Sequence, residues 1–213
     1  MRIYPIVEGH GEQEAVPVLL RRLRDEAKAF GVDVGKPIRR RPSVMMRKDD
    51  FQNAVRLARI QPDCAAVLVL LDCEDGCPKR LVGQLASWAA EAARDAPSAV
   101  VLAFREYETW LLSSVESLRG KCGIAADAVS PMDVESIRGA KERLSRLMPH
   151  NRPYRETVDQ PRLTAAFDMS LAYTRCRSFR KLVTAVGQIF GALGQQICAW
   201  PPSTWKGMPP ERQ

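Results

Sequence analysis

The sequence has few residues of the kinds that bind soft metals. It contains only two histidines, and its six cysteines include no Cys-x-x-Cys pair. Cys73 and Cys77 lie near each other, but no second pair and no suitably spaced histidine completes a zinc site. We therefore expect reduced thiols and a cytoplasmic location.

Long apolar runs are also missing. The run at residues 65–71 has seven residues, far fewer than the ~20 that a membrane-spanning helix needs. The first residues enter a predicted strand directly, without the pattern of a secretory signal. We expect no membrane partner, and the balance of 46% hydrophobic and 27% charged residues is that of an ordinary globular protein.

The glycines near the N-terminus do not form a phosphate-binding loop. Residues 1–14 predict a strand, a turn and the start of a helix, the first half of a βαβ unit. Gly9 and Gly11 lack the third glycine of a dinucleotide fingerprint and the Lys-Ser/Thr of a phosphate loop. Glu8 stands at the carboxyl end of the strand, where open α/β sheets bind ligands. We interpret this turn as half of a metal site.

A second acidic group follows the predicted third strand. The apolar run 65–71 suits a strand covered on both faces, and Asp72 and Glu74 come directly after it. If the first and third strands are neighbours, Glu8 converges with this pair. Clustered carboxylates raise one another's pKa unless a divalent cation neutralises them. Oxygen ligands without histidine or thiolate favour Mg²⁺ or Mn²⁺. Asp75 is expected to be a loop acid.

Several nearby residues have two open interpretations. Glu12 could bind a second metal ion, or it could interact with the dipole of the first helix. Glu106 or Glu108, after the fourth predicted strand, could reach the edge of the acidic group. His10 could move protons near neutral pH, or it could be an exposed loop residue.

The acidic motifs resemble those of a known domain. Glu8-Gly9-x-Gly-Glu12 after a first strand, with Asp72-x-Glu74 after a third, is similar to the Toprim domain, above all to nucleases of the overcoming-lysogenisation-defect (OLD) type. The segments 106–112 and 177–180 resemble a stand-alone Toprim-like family of prokaryotes, domain-of-unknown-function family 4276. Members of that family are often encoded beside ATPases and defence genes. Glu74 stands where the Toprim pattern usually has aspartate, which changes the expected coordination geometry.

The expected fold is a Toprim-like three-layer α/β/α arrangement. Four parallel strands are predicted, the second near 42–46 and the fourth near 99–104, in the order 2-1-3-4. The Toprim-like domain would occupy residues 1–120 and a helical C-terminal extension residues 121–199, packed on the domain. Residues 200–213 would form an extended tail. Within the extension, helices are predicted near 134–148, 161–167 and 179–193.

Positive charge exceeds negative charge, with a formal net charge of +7. A basic surface around an acidic site is typical of enzymes that act on nucleic acid, although it also occurs as a merely solubilising surface. The interpretation favours DNA over RNA. The candidate nucleic-acid-binding residues are Arg39, Arg40, Arg41, Lys141, Arg177 and Arg180.

Two classes of function are compatible with these features. The first is a Mg²⁺- or Mn²⁺-dependent nuclease with Glu8, Asp72 and Glu74 as catalytic residues and metal ligands, and Glu12 as a further ligand. It would act with an ATPase partner in prokaryotic defence or DNA maintenance. The alternative is a Toprim-like module that binds nucleic acid or an ATPase without catalysis. The short chain has no sign of the further domains that a topoisomerase or a primase needs.

Overall fold

A parallel β-sheet forms the centre of the molecule. The computed structural model describes residues 1–73, 78–197 and 199–205. The strands are β1 (Arg2–Val7), β2 (Asp33–Val34), β3 (Ile38–Arg39), β4 (Cys64–Asp72) and β5 (Ser98–Ala103). The strand order is β2-β1-β4-β5, and β3 also pairs with β1.

The predicted strand order is confirmed, but the position of the second strand was wrong. β2 and β3 pair with the two ends of β1 and act as two halves of one edge strand. Between them Gly35 approaches the ring of Tyr4 so closely that a Cβ would lie 2.5 Å from it. Pro42, expected in a strand, instead begins a short helix, because its fixed φ suits the first helical position.

Helices cover both faces of the sheet. Within the described residues, three 3₁₀ helices, at Val115–Leu118, Val134–Ser136 and Ser203–Trp205, accompany the α-helices. The α-helices are α1 (His10–Ala27), α2 (Pro42–Met45), α3 (Lys48–Arg59), α4 (Pro78–Ala93), α5 (Glu108–Leu112), α6 (Ala140–Arg146), α7 (Glu156–Ala166), α8 (Met169–Arg175) and α9 (Arg177–Ala192).

Alternate residues of β4 enter two separate cores. Leu68 and Leu70 pack with α1 and the C-terminal helices, whereas Val67 and Val69 pack with α3 and α4. A strand that is buried on both faces must be apolar at every position, which explains the uninterrupted run in the sequence. The result is the expected α/β/α layering.

The C-terminal helices differ in detail from the prediction. The helix expected over 134–148 is divided, because Gly139 adopts φ of +68° directly before α6. The helix predicted near 161–167 begins earlier, at Glu156, and contains Pro161. α8 was not predicted. α7 packs on α1, and α9 packs on β5. The division of the chain into a domain, an extension and a tail stays a prediction.

Trp110 links the end of the sheet to the C-terminal helices. Its side chain is fully buried, and its indole Nε1 donates to Ser178 Oγ over 2.9 Å. Its ring lies 5.0 Å from that of Tyr107 and 5.5 Å from that of Phe179, centroid to centroid. Trp110 is therefore a core residue and has no free face for stacking on a base.

In the described part of the chain, no helix has the length and apolar character needed to cross a membrane.

Candidate metal and phosphate site

The turn after β1 is held by Glu12. One oxygen of its carboxylate, Oε2, accepts hydrogen bonds from the backbone N–H groups of Glu8 (2.9 Å) and Gly9 (3.1 Å). The Glu12 side chain is only 3% exposed. Because these bonds satisfy backbone donors at the start of α1, Glu12 has a structural role that fixes the position of Glu8. Its role as a ligand of a second ion stays a prediction.

Glu8 follows β1 and Asp72 is the last residue of β4, and these strands are neighbours, as the sequence predicted. β1 pairs directly with β4 in parallel register, with Ile6 opposite Val69. Both carboxylates therefore reach the same edge of the sheet. Asp72 Oδ1 accepts a hydrogen bond of 2.9 Å from the backbone N–H of Tyr107, which orients the side chain. Glu74, the third predicted ligand, lies outside the described residues, as does Asp75.

Glu108 adds a further carboxylate to this edge. It is completely buried at the start of α5. Its Oε1 accepts hydrogen bonds from Tyr154 Oη (2.8 Å) and Gln160 Nε2 (3.0 Å). Its Oε2 is buried and has no hydrogen-bond partner among the described residues. A buried carboxylate oxygen without a partner is costly, and such an oxygen suits a bound cation.

Lys141 brings a positive charge to the same group. Its Nζ lies 2.7 Å from Glu156 Oε1, and its backbone N–H donates to Glu106 Oε2 over 3.1 Å. Glu106 therefore binds the start of α6. Of the two acids after β5, Glu108 is the one whose carboxylate lies with Glu8 and Asp72. Burial lowers the pKa of Lys141, but Glu108 and Glu156 raise it more, so the net shift is upward.

Burial raises the pKa of three of these carboxylates, and for Asp72 its acidic neighbours add to the effect. Burial, followed by repulsion from Glu12, Glu108 and Glu8, raises the pKa of Asp72 well above its ordinary value. Burial raises the pKa of Glu108 to about 7, against the opposing effects of Lys141 and Tyr154. The pKa of Glu12 is also raised by burial. We name Glu8, Glu12, Asp72 and Glu108 the acidic cluster.

The carboxylate oxygens of this site suit a hard cation, but the described residues alone do not form a complete set of metal ligands. Carboxylate oxygens are the ligands that Mg²⁺ prefers, and the unpartnered Glu108 Oε2 provides a buried one. Among residues 1–73, 78–197 and 199–205, however, no three Asp, Glu, His or Cys side chains form a group that could hold a metal ion. A complete site thus needs Glu74 or a change of rotamer.

Two of the predicted phosphate-binding residues lie beside the acidic cluster. Arg39 ends β3, and its guanidinium donates to the carbonyl oxygen of Glu8 over 3.4 Å. Lys141 is the second. Arg40 donates to the carbonyl of Arg39 over 3.0 Å, and Arg41 is exposed immediately before α2.

The remaining candidates are further along the chain. Arg177 is exposed at the first position of α9. The Arg180 guanidinium donates to the carbonyls of Tyr173 (3.0 Å) and Thr174 (2.9 Å), so it binds the last turn of α8. His10 is exposed at the first position of α1 rather than in a loop, and a role in proton transfer stays a prediction.

The partners of Glu108 were not found from the sequence. Tyr154 and Gln160 lie 46 and 52 residues beyond it, and Glu156 lies between them. Nothing in their local pattern distinguishes them from ordinary polar residues of a helical segment. The only available signal was Glu108 itself, an acid placed directly after a strand.

The described cysteines carry no sign of a reactive thiol or a disulfide. Cys64, Cys122 and Cys176 are free thiols. Burial and the neighbouring Glu135 raise the pKa of Cys176 to about 12. Because the thiolate is the reactive form, Cys176 is inert near neutral pH.

These features define an α/β protein with a buried acidic cluster at the carboxyl edge of its parallel sheet. The chain belongs to the family described as "Domain of unknown function (DUF4276)", which matches residues 7–187. Comparisons with curated proteins and with solved structures found no match.

Proposed function

We propose that this protein is a divalent-metal-dependent phosphodiesterase that cleaves nucleic acid and is related to Toprim nucleases. The observation that supports it most is the acidic cluster, in which Glu8 and Asp72 meet at one sheet edge and buried Glu108 has an unpartnered oxygen. Buried carboxylates with raised pKa values at a ligand-binding edge are more typical of a functional site than of a structural one.

Each residue near the cluster has a distinct role in this proposal. Glu8, Asp72, Glu74 and Glu108 would hold Mg²⁺ or Mn²⁺, and the ion would activate water and stabilise the departing oxygen. Glu12 fixes the turn that carries Glu8. Tyr154 and Gln160 hold Glu108 by its Oε1 and leave Oε2 available. Arg39 and Lys141 would neutralise phosphates that flank the scissile one.

The rest of the proposal concerns substrate and partner. The net charge of +7 supports an anionic substrate, and we propose DNA rather than RNA. We also propose that an ATPase partner controls the activity in a prokaryotic defence or DNA-maintenance system, because the stand-alone Toprim-like family that the chain resembles is often encoded beside ATPases and defence genes.

Cleavage is expected to require Mg²⁺ or Mn²⁺. Labelled duplex DNA, single-stranded DNA and RNA are incubated with the protein and any ATPase encoded beside it, and products are resolved on gels. We expect cleavage with either ion and none in EDTA. Cleavage that persists in EDTA, or none with any ion and partner, would contradict the proposal.

One observation favours the alternative, a non-catalytic module that binds nucleic acid or an ATPase. Lys141 already lies where it interacts with Glu108, Glu156 and Asp72. This lysine could serve as a built-in counter-ion, in which case the acidic cluster would need no metal. Under this alternative a divalent ion would have no effect on the protein.

A further inference from the structure

A basic cleft lies along α6. Of the residues of this helix, only Lys141 has a role in the proposed function. Its volume is about 510 Å³. We name it the α6 cleft. It is lined by Ile137, Arg138, Gly139, Glu142, Arg143 and Arg146.

The α6 cleft continues toward the acidic cluster. A second depression of about 450 Å³ shares Glu142 and Arg146 with it. This second part is also lined by Lys141, Tyr154 and Glu156. Tyr154 contacts Glu108 directly, through the 2.8 Å hydrogen bond from its hydroxyl. The two depressions therefore adjoin along α6 and extend from exposed arginines to Tyr154, which contacts the buried Glu108.

The charge of the α6 cleft is mainly positive. Arg143 and Arg146 are exposed and three residues apart, so they share one face of the helix. No described carboxylate forms an ion pair with either of them. Glu142 does not neutralise them, because its side chain folds back over Gly139, where a Cβ would lie 2.6 Å from Glu142 Oε2.

We propose that the α6 cleft binds the phosphodiester backbone of a nucleic-acid strand. Arginine guanidinium groups match the geometry of phosphate oxygens and stay charged at all physiological pH values. Exposed arginines spaced along the α6 cleft suit a ligand with successive anions. The further statement that the strand then reaches the acidic cluster rests on the proposed function, whereas the binding itself does not.

The test compares two double variants of equal charge change. Arg143→Ala with Arg146→Ala removes the cations of the α6 cleft. Arg21→Ala with Arg162→Ala removes two exposed arginines of α1 and α7 and serves as the control. Binding of a fluorescein-labelled single-stranded oligonucleotide is measured by anisotropy in EDTA, across a salt series, so that no cleavage occurs.

We expect the α6 double variant to bind about tenfold more weakly at low salt, with the control unchanged. The logarithmic salt slope should become shallower by about 0.7 for each lost phosphate contact. Parallel arms with RNA and duplex DNA show which backbone is preferred. The inference would be overturned if the α6 variant bound the oligonucleotide as tightly as wild type does. It would also be overturned if poly-glutamate displaced the labelled oligonucleotide as effectively as unlabelled oligonucleotide does.

This design separates the inference from the proposed function. A loss of binding in the α6 variant together with no metal-dependent cleavage by wild type would support the cleft and reject the nuclease. Cleavage by wild type together with unchanged binding by the α6 variant would support the nuclease and reject the cleft.

Discussion

Replacing Asp72 by asparagine is expected to reduce metal-dependent cleavage by orders of magnitude. The substitution removes the charge that would hold the ion, so an activated nucleophile and charge neutralisation are lost together. The shape of the side chain is nearly preserved, and the amide oxygen can still accept the hydrogen bond from the N–H of Tyr107. The thermal midpoint should stay unchanged or rise, because a neutral amide replaces a carboxylate that its acidic neighbours repel.

A matched control makes this expectation specific. Asp127 is exposed, so Asp127→Asn changes the net charge equally without touching the acidic cluster. Cleavage rates and thermal midpoints of both variants are compared with those of wild type under the same metal concentration. If Asp72→Asn cleaves as fast as Asp127→Asn, Asp72 is not a metal ligand and the nuclease mechanism fails.

Replacing Gly11 by alanine is expected to lower the free energy of unfolding by about 1–3 kcal/mol, since it overpacks a tight helix contact. A Cβ at Gly11 would lie 2.6 Å from the backbone oxygen of Glu156 and 2.5 Å from Gln160 Oε1. The backbone of α7 therefore has to move away from α1. Because Gln160 binds Glu108, cleavage should fall together with stability.

Gly83 supplies the control for this substitution. It lies exposed within α4, and a Cβ there would meet nothing within 4 Å. Gly83→Ala should therefore raise stability by about 0.5–1 kcal/mol, the usual gain from alanine inside a helix. Both variants are measured by urea denaturation. Equal stability changes in the two would show that α7 does not pack on Gly11 as described.

The central strands and the meeting of Glu8 with Asp72 could be predicted from the sequence. The apolar run of β4 is uninterrupted because both faces of the strand are buried. Since β1 and β4 are parallel neighbours, their carboxyl ends share one edge, and the acids that follow them meet there. The apolar runs, together with the topology rules of parallel α/β sheets, were therefore sufficient to predict this part of the site.

The edge strand and the surroundings of Glu108 could not be predicted in the same way. The pairing of β2 and β3 with β1 involves only two residues in each strand, too few for a periodic pattern. The contacts of Glu108 with Tyr154 and Gln160 depend on how α7 packs against α1. That packing depends on the absence of a side chain at Gly11, and helix periodicity does not indicate which distant helix fills the space.

The most direct test of the metal site is anomalous scattering from crystals soaked in Mn²⁺. We expect a peak at the edge of the sheet, within about 2.0–2.6 Å of carboxylate oxygens of Glu8 and Asp72, and no such peak in crystals of Asp72→Asn. The metal site would be contradicted if wild-type crystals showed no peak at saturating Mn²⁺ while Lys141 remained bound to Glu156. The acidic cluster would then be neutralised by the protein's own lysine.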